Sequence, residues 1–229
     1  MLRMDLWIIV TIVALIFLLA AERKKDIAKR VVYKVIASTG FILTAISGGA
    51  FETRYGAIIL VGLALSWFGD VFLLWRTQGV FLAGLVSFLF AHLAYFAAFS
   101  YVFLIVVGGG LLFMMTSQSL IFFWPIVCSV LLAVALVRKW LRPHLPDDMR
   151  RPVFLYLAVI SLMVISAFGA ALLTGGWSVF IGAVMFYLSD VSVARDRFVS
   201  PGFINGLWGL PLYYGGQLFI AYSVSLFVP

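Results

Sequence analysis

Charge, cysteine and histidine are all scarce in this chain. Of 229 residues, 11% are charged, two are His and one is Cys. A soluble domain carries about 25% charged and about 45–50% apolar residues, whereas this sequence is 65% hydrophobic with a mean hydropathy of +1.16. An ordinary soluble domain is therefore excluded, and the composition is that of an all-α polytopic membrane protein. The lone Cys128 sits in an apolar run. It excludes an intrachain disulfide and a thiolate metal cluster, and it says nothing about the redox compartment. With only His92 and His144 available, no transition-metal site and no cofactor is expected. Several motifs are also missing. H-E-x-x-H is absent, which argues against a zincin; G-x-S-x-G is absent, which argues against the common serine-hydrolase elbow. Gly108-Gly109-Gly110 has no GxxxxGK[ST] around it and reads as a flexible break. Trp67-Phe68-Gly69-Asp70 lacks the first Gly of the Gly-x-Gly-Asp pattern of intramembrane aspartyl proteases. No long polar linker divides the chain, so residues 1–229 are expected to form one integral membrane domain.

What is present in abundance is long apolar runs. Taking runs of about 17–25 residues as spans gives eight, at roughly 6–21, 31–48, 56–74, 80–107, 119–138, 152–173, 177–194 and 206–227. The fourth is overlong; it either tilts or ends near Tyr101. The first is followed at once by Arg23-Lys24-Lys25, a stop-transfer arrangement rather than a cleaved signal peptide. Trp7, Trp124, Trp177 and Trp208 read as interface anchors, and Arg195-Asp196-Arg197 as a solvated loop.

The net charge of +7 is not evenly spread. Thirteen of the sixteen Lys and Arg residues fall in the first, third, fifth and seventh loops, Arg76 and Arg142 among them. Lys and Arg accumulate in cytoplasmic loops. The expected topology thus has odd loops in the cytoplasm and both termini outside, with a bacterial plasma membrane as the location. The basic surface is a topology signal with some attraction to anionic headgroups, so membrane lipids are expected partners and nucleic acid is not. The sequence leaves the oligomeric state open.

Against this apolar background, charged and polar residues inside spans stand out. A charge near the centre of a membrane helix costs about 2.5–3.5 kcal/mol on insertion scales. Asp70 and Asp190 lie near the ends of the third and seventh spans, and Lys34 near the start of the second. His92 and Tyr95 lie in the fourth, Tyr156 in the sixth, and Tyr213, Tyr214 and Gln217 in the eighth. Given the alternating direction of the spans, these groups share one side of the membrane. Helical spacing groups them with small residues: Gly62, Ser66 and Asp70 repeat every four, and Gly182, Phe186, Ser189 and Asp190 share a face. The expected construction is one cavity open toward the cytoplasmic leaflet, lined by both carboxylates, the imidazole, the amine and several phenols. Each residue also has a packing alternative. The aspartates fit helix ends at headgroup level, Lys34 a snorkelling stem, His92 an interhelical hydrogen bond, and the tyrosines an aromatic belt.

At these residues the chain resembles the YhhN family, the transmembrane lysoplasmalogenases. The likeness runs through Gly69-Asp70, then Gly84-x3-Phe88-x3-His92-x2-Tyr95. It continues through Gly182-Ala183-x2-Phe186-x2-Ser189-Asp190-x3-Ala194-x3-Phe198 and Tyr213-Tyr214-x2-Gln217. The Ser-Asp segment is the most specific part; Lys34-Val35 departs from the Lys-Pro often found there. The resemblance implies hydrolysis of the vinyl ether of a lysophospholipid substrate, lysoplasmalogen, to a fatty aldehyde and glycerophosphocholine or glycerophosphoethanolamine. It implies Asp70, Asp190 and His92 as the catalytic set, with Lys34, Tyr95, Tyr156, Ser189, Tyr213, Tyr214 and Gln217 contacting substrate. The chemistry fits: protonation of a vinyl ether gives an oxocarbenium ion, and a carboxyl pair serves such an ion in glycosidases. The competing reading is a transporter or binder of a lipid or small amphiphile using the same polar cavity. Crowding of the polar groups into one half favours the enzyme, because alternating access needs a site reachable from both sides.

Overall fold

The structure, a computed structural model, describes residues 2–75, 77–108 and 117–227. Arg76, the Gly109-Gly110 part of the expected break, and Pro229 lie outside the described residues. Eight long helices follow one another: α1 (Leu2–Lys24), α2 (Ile27–Ser47), α3 (Arg54–Phe72), α4 (Gln78–Gly108), α5 (Ser117–Leu141), α6 (Asp147–Thr174), α7 (Trp177–Ala194) and α8 (Phe203–Ser223). The protein is an all-α polytopic membrane protein. Seven of the helices are long and apolar enough to cross a bilayer. Among the eight, α8 falls short of that measure because Asn205, Gln217, Pro211 and several Gly and Tyr residues dilute its apolar content.

Short polar segments set the boundaries. Lys25 adopts a left-handed φ of 56° and turns the chain between α1 and α2. Asp26 then caps α2, accepting from the Lys29 amide at 3.1 Å. Thr53 caps α3 through the Gly56 amide at 3.0 Å. Gly175, with φ 73°, ends α6 in the left-handed conformation that an L side chain resists. The fourth helix continues to Gly108, and its candidate membrane span is Gln78–Val102, which ends beside Tyr101.

Neighbour relations close the bundle. The order α2, α3, α4, α6, α7, α8 and back to α2 forms a ring, with α1 outside against α2 and α8. Helix α5 also lies outside, packed against α6. Inside the ring, Phe41, Ile59, Leu63, Tyr95, Phe99, Ile160, Met163, Phe186, Tyr214 and Ile220 are fully buried. Small residues bring the helices to backbone contact where α7 meets α8: a Cβ on Gly182 would lie 2.8 Å from the Gly216 carbonyl oxygen, and the reverse also holds. That crossing fixes the two helices that carry Asp190 and Tyr213.

Candidate active site

Asp70 is near the end of α3, and Lys34 and Ser38 are one turn apart near the start of α2. Because α2 and α3 run in opposite directions, those ends meet. Lys34 Nζ lies 3.2 Å from Asp70 Oδ1. Ser38 Oγ donates to Oδ2 at 2.5 Å, and Tyr213 OH donates to the same oxygen at 2.7 Å. Tyr214 OH sits 3.2 Å from Ser38 Oγ and donates to the Lys34 carbonyl at 3.4 Å. Both carboxylate oxygens of Asp70 are therefore occupied by protein groups. The adjoining pocket, about 140 Å³, is lined by Lys34, Val35, Ser38, Trp67, Asp70, Val71 and Leu74.

Asp190 stands differently. Tyr156 OH donates to its Oδ2 at 2.7 Å. His92 Nε2 lies 3.1 Å from that oxygen and 2.8 Å from the Tyr156 hydroxyl, closing a three-member cluster of α4, α6 and α7. Both contacts fall on Oδ2, so among the described residues Oδ1 has no hydrogen-bond partner. Asp190, Tyr156 and Tyr187 form the polar part of an otherwise apolar pocket of about 670 Å³, its open mouth included. Leu85, Phe88, Leu141, Leu157, Ile160 and Phe198 are among its walls. Arg197 stands over the ring of Phe81, another lining residue, at 4.5 Å.

The two carboxylates line separate pockets rather than the single cavity expected from sequence. Phe186 lies between their clusters, its ring centroid 4.5 Å from that of His92 and 5.2 Å from that of Tyr213. Phe88 packs edge-on against both Phe186 and Tyr213. Shared depth along the helices is thus real, but an aromatic wall divides the space. Tyr95 is aimed away from both carboxylates: its hydroxyl donates to Gln217 Oε1 at 2.8 Å and lies 3.4 Å from Ser66 Oγ. Gln217 is fully buried, and among the described residues its Nε2 and the Nδ1 of His92 have no hydrogen-bond partner. Ser189 is buried and donates to the Phe186 carbonyl of its own helix at 2.7 Å, which leaves its hydroxyl engaged in the backbone.

Two features escaped the sequence reading. Ser38 is a direct partner of Asp70, and the signal for it was its position one turn after Lys34 on the same face. Phe186 is a wall rather than a generic core ring, and nothing distinguishes it from the other 21 Phe residues in composition. The Arg195–Arg197 segment is not a loosely solvated loop. It forms a π-helical turn, Arg195–Val199, in which Arg195 donates to Asn205 Oδ1. Asp196 accepts from Asn205 Nδ2 at 3.0 Å and from the Gly202 amide at 2.9 Å. The buried Asn205 draws the segment onto the start of α8.

Comparison with known proteins points the same way as the motifs. The chain is 30% identical to lysoplasmalogenase TMEM86A of Bos taurus over 190 residues, covering 80% of this chain and 68% of that protein. It is 29% identical to the Homo sapiens TMEM86A lysoplasmalogenase over 171 residues, covering 72% and 64%. It is 30% identical to lysoplasmalogenase TMEM86B of Sus scrofa over 191 residues, covering 83% and 72%. No solved structure matches the chain. Residues 8–224, which hold both carboxylate clusters, match the YhhN family, and this protein belongs to it.

Proposed function

We propose that this protein hydrolyses the vinyl ether bond of a lysoplasmalogen, releasing a fatty aldehyde and a glycerophospho-alcohol. The observation that carries the reading is Asp190: a carboxyl group with one oxygen unpartnered among the described residues, set with Tyr156 and Tyr187 in a pocket whose other walls are apolar. The alkenyl chain takes the apolar walls, and the glycerophosphate end lies toward the basic turn that carries Arg197. The names of the relatives support the same substrate class.

The reaction begins with transfer of a proton to the β-carbon of the vinyl ether, which leaves an oxocarbenium ion at the α-carbon. Water adds to that carbon and gives up a proton, forming a hemiacetal. The hemiacetal collapses to the aldehyde and the alcohol, so one water is consumed per bond cleaved. Asp190 exchanges the protons and stabilises the cation electrostatically. Tyr156 and His92 fix its Oδ2 and leave Oδ1 for the reacting carbon or water. Asp70 acts from behind the aromatic wall, holding Lys34, Ser38 and Tyr213 in place so that Tyr213 supports Phe186. The site lies in the cytoplasmic half of the membrane, with both termini outside, on the strength of the Lys and Arg distribution.

The test uses purified protein with a defined lysoplasmalogen and its saturated-ether analogue, followed by aldehyde detection. The expected result is turnover of the first lipid alone, since the second has no double bond to protonate. Binding of both lipids without aldehyde from either would replace the hydrolase with a lipid binder.

A further inference from the structure

Away from the Asp190 pocket, the far end of α5 presents a second site. We propose that it binds an anionic phospholipid of the surrounding membrane, headgroup against a cluster of four cations and acyl chain along α5. A wide groove of about 1190 Å³, its open side included, lies there, with Arg138, Lys139, Arg142 and Arg150 at one end and Leu131, Val134 and Ala135 at the other. Leu131, Ala135, Arg138 and Arg142 follow i, i+4, i+7, i+11, so a single face of the chain runs from apolar to basic. That order, apolar toward the membrane interior and cationic at the helix end, is the order of a phospholipid.

Three observations point to an anion. First, the cations outnumber what the protein offers them. Arg150 pairs with Asp147 at 2.5 Å, and Arg138 lies over the Phe154 ring at 5.0 Å. Among the described residues, no carboxylate pairs with Arg138, Lys139 or Arg142. Second, the Arg150 side chain lines the groove with 42% of its surface exposed, so its guanidinium can meet a phosphate oxygen there. Third, α5 needs a tether. It packs against α6 outside the ring, and only 6% of its membrane window is buried. The like charges at the α5–α6 junction repel one another, and a phosphate between Arg142 and Arg150 would reverse that repulsion. Basic pockets beside membrane helices bind anionic headgroups on these terms. The other face of α5 supplies Val137 and Leu141 to the Asp190 pocket, so the lipid would steady one wall of that pocket from behind.

The experiment uses the full chain, stripped of lipid in detergent, with phosphatidylglycerol, phosphatidylcholine of identical acyl chains, or inorganic phosphate added. Native mass spectrometry reads retained lipid, and thermal melting reads stabilisation. Phosphatidylglycerol should be retained and should raise the melting temperature, while phosphatidylcholine and phosphate at the same concentration should do neither. The double variant Lys139→Gln/Arg142→Gln should lose the preference for phosphatidylglycerol by roughly tenfold or more. If its lipid-free melting falls below wild type, Lys139→Gln alone carries the test, because that exposed side chain has no partner to lose. Equal retention of both phospholipids by wild type, or an unchanged preference in the folded variant, overturns the proposal. Stabilisation by phosphate alone overturns the lipid as its source. None of these readouts depends on turnover.

Discussion

Asp70 and Asp190 differ in what their oxygens touch, and the different roles proposed for them rest on that difference. Asp70 spends both oxygens on Lys34, Ser38 and Tyr213. Asp190 spends one, on Tyr156 and His92. Removing the charge at each should therefore fail in different ways. Asp190→Asn should lower aldehyde release by roughly 10²–10⁴-fold, the range for a positioned acid or base, with little change in thermal melting. Asp70→Asn should strip Lys34 of its buried partner. Breaking such a pair costs about 3–5 kcal/mol, so this variant should melt well below wild type and lose activity along with its fold. Tyr156→Phe removes one donor to a charged group and should cost about 10–100-fold in rate. His92→Ala should cost less than Asp190→Asn. Melting curves and turnover measured on the same preparations decide between the two roles. If Asp70→Asn keeps its stability but loses all turnover, Asp70 is part of the reacting pair. If Asp190→Asn keeps near-wild-type turnover, the mechanism is wrong.

Helix contacts, not single side chains, hold these groups in register. The crossing of α7 and α8 depends on Gly182 and Gly216, where a methyl group on either meets the carbonyl of the other at 2.8 Å. Backbone cannot swing aside as a side chain does, so Gly216→Ala should cost about 1–3 kcal/mol of stability and reduce turnover with it. Gly79→Ala, where nothing lies within 4 Å, should stay near wild type. Melting temperature and aldehyde release of the two variants check this; an unchanged Gly216→Ala protein would mean the helices stand further apart. Much at this scale was legible in the sequence. The seventh helix runs Trp177–Ala194 as its apolar run implies, and the small-residue faces are where the helices meet. The sixth starts earlier than its apolar run, at Asp147, because Asp147 and Asp148 suit a first turn, and the helix continues through Pro152. The site was legible in part. Spacing along each helix gives height in the membrane, so it identified the polar layer. It does not give rotation relative to neighbours, so it did not foresee that Tyr213 would turn to Asp70, Tyr156 to Asp190, and Tyr95 to Gln217. It also placed no wall between the carboxylates, since Phe186 carries no polar signal.

For the molecule as a whole, the ring has one end rich in Lys and Arg, and both carboxylate clusters lie toward it. The helix that decides the topology is α8. It is too dilute in apolar residues to pass as a span on composition, yet most of its polar groups have partners on neighbouring elements: Tyr213 on Asp70, the Gln217 Oε1 on Tyr95, and Asn205 on Arg195 and Asp196. A polar group satisfied by neighbouring helices no longer faces lipid, so a helix of this kind crosses as part of a bundle. If α8 crosses with the seven other helices, both termini lie on one side, and the excess of Lys and Arg in the odd loops is what the proposed placement of that side outside the cytoplasm rests on. A reporter active only in the cytoplasm, fused after Pro229, should therefore be silent, and one active only outside should report. Fusions in the third and seventh loops should give the opposite pattern. A cytoplasmic signal after Pro229 with the loop fusions unchanged would mean that α8 does not cross; reversal of every fusion together would invert the protein and move the Asp190 pocket to the outer half of the membrane.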